Sequence, residues 1–82
     1  MMIEKIKNVI GEVINNPALA QSFPADADII TDIGLDSLQM IDFMLRIEGE
    51  FDIELDFDTL EIGKLRSIQT FGDYLALQKP VE

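Results

Sequence analysis

The sequence predicts an all-α fold, a small helical bundle in one domain spanning residues 1–82, with a long loop between its first and second helices. Three observations predict it. Apolar residues recur at three- and four-residue steps through Met2–Asn15 and again through Ser37–Phe51. Capping-box patterns, Asp36 with Gln39 and Thr70 with Asp73, mark helix starts. The one stretch that alternates like a strand has no second alternating run to pair with. With no Cys and no His among 82 residues, the chain has neither a disulfide nor Cys/His-ligated metal to staple its core, so helix packing must supply the stability.

In chain order, Ile3, Ile6, Ile10, Val13 and Ile14 form the apolar face of a first helix over Met2–Asn15. Asn15-Asn16-Pro17 ends it, because the residue before a proline is pushed out of the helical region. Asn16 to Asp36 reads as a loop, with Pro17 and Pro24 against a full helix and at most one turn over Ala18–Ser22. A loop this long is usually functional or pinned by its own apolar side chains, here Phe23, Ile29, Ile30 and Ile33. Its Asp26-x-Asp28 start lacks the Gly and Glu that a calcium-binding EF-hand needs at the sixth and twelfth positions, where Thr31 and Ser37 stand.

The next helix runs from Ser37 to Phe51. Met40, Phe43, Met44, Ile47 and Phe51 make a complete core stripe, while Leu38, Ile41 and Leu45 form a second apolar stripe bordered by Asp42 and Glu48. That second stripe either packs against another neighbour or stays exposed for a partner. Phe51 to Phe57 alternates strictly but reads as an extended connection that buries every other residue. A short helix is expected over Asp58–Gly63, with Leu60 and Ile62 inward. The last helix starts between Ser67 and Thr70, ends near Leu77–Gln78, and turns Ile68, Phe71 and Leu75 to the core. Tyr74 is core or rim.

The net charge of −10 is concentrated: Asp26 to Glu61 holds 12 of the 16 acidic residues and one base, Arg46. This surface repels nucleic acid and suits partners with basic patches. No apolar run approaches the length of a membrane span, and the charged residues of Met1–Ile14 break any signal-peptide core, so no membrane insertion and a cytoplasmic location are expected.

The chemistry converges on Asp36-Ser37-Leu38. With Asp36 as N-cap, Gln39 falls at the third helical position and completes the capping box. Ser37 is then left free at the first helical position, beside unpaired N–H groups and the positive end of the helix dipole, which suits a phosphate. As a nucleophile the hydroxyl is weak without a base, and there is no His. Paired carboxylates in a pKa-raising pocket are also missing, so no catalytic residue is expected. A free serine on an acidic bundle makes more sense as the substrate of another enzyme.

Gly34-Leu35-Asp36-Ser37-Leu38, the helix ending Glu48-Gly49-Glu50-Phe51, and Leu65 through Leu75 together resemble the acyl carrier protein family over essentially the whole chain. The resemblance implies a four-helix bundle of three main helices and one short one. It further implies that a phosphopantetheinyl transferase attaches 4′-phosphopantetheine from coenzyme A to Ser37. The family's recognition helix matches Ser37–Phe51, which makes Asp36, Leu38, Gln39, Ile41, Asp42, Leu45 and Glu48 the expected partner contacts. The implied partners are that transferase, an acyl- or aminoacyl-loading ligase, and synthase or condensing enzymes with basic patches; a monomer is expected. The imported thiol makes chemical sense, since a chain without Cys cannot itself hold a thioester.

Met40, Phe43, Met44, Gly49, Lys64 and Arg66 depart from the usual fatty-acid pattern and favour a discrete carrier in a specialised polyketide, aminoacyl or hybrid pathway. The rival expectation from another class is an unmodified acidic interaction module that docks through Leu38, Ile41 and Leu45.

Overall fold

The computed structural model describes residues 2–55 and 62–78. Four α-helices appear there: α1 (Met2–Ile14), α2 (Pro17–Ser22), α3 (Ser37–Phe51) and α4 (Ile68–Ala76), with a 3₁₀ turn at Ile62–Leu65 before α4. The all-α bundle predicted from periodicity is what forms. Helix α1 is its hub and packs against α2, α3 and α4. Ile6 and Ile10 of its apolar face are fully buried together with Val9, while Ile3, Val13 and Ile14 pack half-buried at the edge.

The connection after α1 departs from the sequence reading. Asn15 closes α1 in the left-handed region at φ 57°, and Asn16 then caps α2, its Oδ1 accepting the Leu19 N–H at 3.2 Å. Pro17 therefore starts a helix as well as ending one, because proline at the first helical position loses no intrahelical bond and has φ already set. The short helix lies close on α1 because Gly11 is buried without a side chain: a Cβ there would meet the Pro17 Cα at 2.9 Å.

Residues 23–36 remain an irregular loop, but one bonded to the far end of the chain. The Ile29 N–H donates to the Leu65 carbonyl at 3.0 Å, the Ile68 N–H to Ala27 at 3.1 Å and the Gln69 N–H to Ala25 at 2.8 Å. Of the expected pins, Ile29 is fully buried, and Phe23 and Ile33 are half-buried. Ile30 is exposed; Ala27 and Leu35 fill the buried positions instead.

The cap of α4 is also corrected. Ser67, not Thr70, is the N-cap, its Oγ accepting the Thr70 N–H at 2.9 Å, and Asp73 accepts from the Gln69 side chain at 3.0 Å. Starting one residue after Ser67 puts Ile68 in the first turn, where it is fully buried in line with Phe71 and Leu75. Phe71 lies 5.5 Å from Phe43 of α3 and 6.2 Å from the half-buried Tyr74. No strand occurs among the described residues. The alternating stretch buries Ile53 and Leu55 and exposes Asp52 and Glu54. The helix expected over Asp58–Gly63 falls mostly outside the described residues.

Candidate functional site at the start of α3

Three local devices build the start of α3. Gly34 turns the chain at φ +76°, a conformation that costs a glycine little. Leu35 then drops into the core at 7% exposure and anchors the loop end. Asp36 follows as N-cap in extended conformation: its Oδ1 accepts the Gln39 N–H at 2.8 Å, and Gln39 Oε1 accepts the Asp36 N–H at 3.1 Å. The capping box expected from sequence is complete.

Ser37 is thus the first residue of α3 and is exposed. Its hydroxyl makes no hydrogen bond among the described residues. The first intrahelical bond runs from the Met40 N–H to the Asp36 carbonyl at 2.8 Å. Because the side-chain cap serves Gln39, the N–H groups of Ser37 and Leu38 are two of the orphan donors of a helix start, where the dipole favours negative charge. An exposed hydroxyl beside these donors fits a phosphodiester linked through Ser37.

Helix α3 presents two apolar stripes with different fates. Phe43, Met44 and Ile47 are buried, and Met40 and Phe51 are packed half-buried against them. Leu38, Ile41 and Leu45 stand 78%, 58% and 56% exposed. The second stripe therefore does not pack into the core among the described residues.

The polar residues around that stripe are already engaged within the chain. Asp36 and Gln39 hold each other in the cap. Asp42 Oδ1 accepts from Arg46 Nε at 2.9 Å, and Arg46 Nη1 reaches Glu12 of α1 at 3.4 Å. Glu48, half-buried, accepts the Leu55 N–H at 2.9 Å. The sequence marks Arg46 only as the one base of the acidic stretch; its pairing with Asp42 is signalled by the Asp42-x-x-x-Arg46 spacing.

Upstream, Asp28 organises the approach to the site. Its Oδ1 accepts the N–H groups of Ile30 and Thr31 at 2.8 and 2.9 Å, and its own N–H donates to Asp32 at 2.9 Å. Hydrogen bonding from the Thr31 backbone, with lesser help from Ile30 and Arg66 and against some desolvation, holds the Asp28 carboxyl below its ordinary value. Among the described residues no cluster of acidic side chains is arranged to hold a metal ion, and no helix is long and apolar enough to cross a membrane.

Comparison with known proteins covers nearly the whole chain. Residues 4–75 match the family model described as a phosphopantetheine attachment site. The chain is 33% identical over 75 residues to an acyl carrier protein of Syntrophus aciditrophicus, covering 92% of this chain and 89% of the relative. It is 32% identical over 72 residues to an acyl carrier protein of Buchnera aphidicola, covering 88% and 86%. Against an acyl carrier protein of Bdellovibrio bacteriovorus it is 32% identical over 71 residues, covering 87% and 86%.

Proposed function

Because the chain belongs to the acyl carrier protein family, whose members are non-catalytic carriers bearing covalent 4′-phosphopantetheine, we propose that Ser37 is the attachment residue and a phosphopantetheinyl transferase its modifying enzyme. The observation that carries this is the reciprocal Asp36–Gln39 cap, which occupies both side chains flanking the helix start and leaves the Ser37 hydroxyl exposed. The arm, when bound, supplies the thiol that this chain lacks. Ser37 anchors it through its Oγ, and the helix start favours its phosphodiester charge.

Residues 1–82 act as a single carrier domain, a cytoplasmic monomer that receives acyl or aminoacyl groups from a loading ligase and presents them to synthase or condensing enzymes. Asp36, Leu38, Gln39, Ile41, Asp42, Leu45 and Glu48 frame the docking face, with Leu38, Ile41 and Leu45 as its apolar centre. A specialised pathway, polyketide or aminoacyl rather than housekeeping fatty acid, is supported by the Phe43–Phe71 ring contact at 5.5 Å, which fills the middle of the bundle where a long acyl chain would need space.

Incubation with coenzyme A and a phosphopantetheinyl transferase, followed by intact-mass and peptide analysis, tests the proposal. A gain of one phosphopantetheine on Ser37, absent from Ser37→Ala, is expected. No gain, or a gain kept by Ser37→Ala, overturns it and leaves the unmodified docking module as the better reading. Intact mass of the protein from its native host identifies the cargo class.

A further inference from the structure

Arg46 occupies an unusual position for a chain of this charge. It is the one base between Asp26 and Glu61, and its guanidinium joins two helices, with Nε on Asp42 at 2.9 Å and Nη1 on Glu12 at 3.4 Å. Asp42 directly follows Ile41 and precedes Leu45 by three residues, so its carboxylate borders the exposed stripe. Asp36 and Glu48 also border it, but their partners are backbone N–H groups, which carry no net charge. Among the described residues, Arg46 is the one cation paired with a carboxylate there.

We infer that Arg46 is a specificity-determining residue of the docking face: by holding Asp42 and Glu12 in an internal ion pair, it disfavours partners that need Lys or Arg on Asp42 and favours those that seat on Leu38, Ile41 and Leu45. A cationic partner must compete with a guanidinium already in place, whereas an apolar partner surface meets the stripe unobstructed. Exposed pairs of this kind contribute little to folding, so the effect falls on association. The face thus works by negative selection: attraction of basic surfaces is reduced at the border of its apolar centre while the overall field stays acidic.

This inference rests on the function proposed for Ser37, and one experiment separates the two. Arm attachment is timed by intact mass, with coenzyme A and a phosphopantetheinyl transferase whose docking face has an excess of Lys and Arg, across a KCl series. Wild type, Arg46→Gln, Arg46→Lys and Lys5→Gln are compared, each checked by thermal melting. Arg46→Gln should raise kcat/KM on the order of threefold at low salt and steepen its fall with salt, because it frees two carboxylates for the basic partner. Arg46→Lys, which keeps the charge, should stay near wild type. Lys5→Gln makes the same net change where the side chain lies over the Phe51 ring, and should give a smaller gain. An Arg46→Gln rate equal to or below wild type, an Arg46→Lys rate raised as far, or a Lys5→Gln gain as large each overturns the inference. A wild-type chain that gains no arm overturns the proposed function itself.

Discussion

The carboxylate of Glu48 accepts the backbone N–H of Leu55 at 2.9 Å, tying the chain that leaves α3 back onto the helix it has just left. The bond holds the turn at Asp52, which is left-handed at φ 55°, and keeps Ile53 and Leu55 buried. Glu48 therefore has a structural role inside the chain besides the partner contact proposed for it. Glu48→Ala leaves a part-buried N–H without its acceptor and should cost about 1 kcal/mol, lowering the melting temperature by roughly 4–8 °C for a domain of this size. Glu48→Gln keeps an acceptor and should melt near wild type. Any loss of partner transfer in that variant then reports the charge alone.

Acid should act on the loop before α3 through Asp28. Its folded-state carboxyl lies below the ordinary value of 3.8 because the Thr31 and Ile30 N–H groups donate to the ionised form. A folded pKa below the unfolded one means that the contribution is fully present above the unfolded value and is lost as pH falls through the folded value. Denaturant titrations from pH 5 down to pH 2 should show wild type losing stability more steeply than Asp28→Asn, whose amide oxygen still accepts but does not titrate. Parallel pH profiles for the two chains would show that the turn does not depend on the charge.

Most of the main helices and the start of α3 were legible in the sequence because both depend on short-range rules. Three- and four-residue periodicity fixes which side of a helix is buried, and the Asp36–Gln39 spacing fixes the cap within four residues. The fate of the second α3 stripe was not legible. Leu38, Ile41 and Leu45 are as apolar as core residues, and only the placement of α1, which meets α3 on the other stripe, decides that they stay exposed. Helix α2 was legible only as a single turn over Ala18–Ser22; it starts at Pro17 because Asn16 caps it and proline suits the first helical position. The burial of Val9, Ala27 and Leu35 was not legible for a different reason: it comes from contacts distant in sequence, such as the bonds linking 25–29 to 65–69.

Gly11 should tolerate nothing larger. Alanine is the better helix former by about 1 kcal/mol, but its Cβ would stand 2.9 Å from the Pro17 Cα, which is backbone and cannot swing aside. The clash should outweigh the propensity, because overpacking a fitted contact costs roughly 1–3 kcal/mol. Gly11→Ala should therefore melt below wild type. Gly49, where a Cβ would meet nothing within 4 Å, is the control: Gly49→Ala, in the exposed interior of α3, should melt above wild type.

Crowded carboxylates set the response to salt. Twelve acidic residues and one base lie between Asp26 and Glu61, and repulsion among them opposes the compact state. Added KCl or millimolar divalent cation should raise the melting temperature by screening that repulsion. An unchanged melting curve would show the acids to be too dispersed to matter.

The two stripes of α3 should separate stability from transfer. Phe43 is fully buried and in ring contact with Phe71, so Phe43→Ala should cost about 3–5 kcal/mol, a large part of what an 82-residue domain has to lose. Circular dichroism should show it substantially unfolded. Ile41, 58% exposed, has little packing to forfeit, and Ile41→Asp should change stability by no more than about 0.5 kcal/mol. It does place a charge at the centre of the apolar face, and a partner that buries the stripe must then desolvate that charge. Arm attachment at Ser37 and acyl transfer from the holo form should both fall at least about tenfold, the effect of 1.4 kcal/mol in the docked complex, while helicity and melting stay near wild type. Transfer at the wild-type rate by a folded Ile41→Asp would show that partners dock elsewhere on the chain.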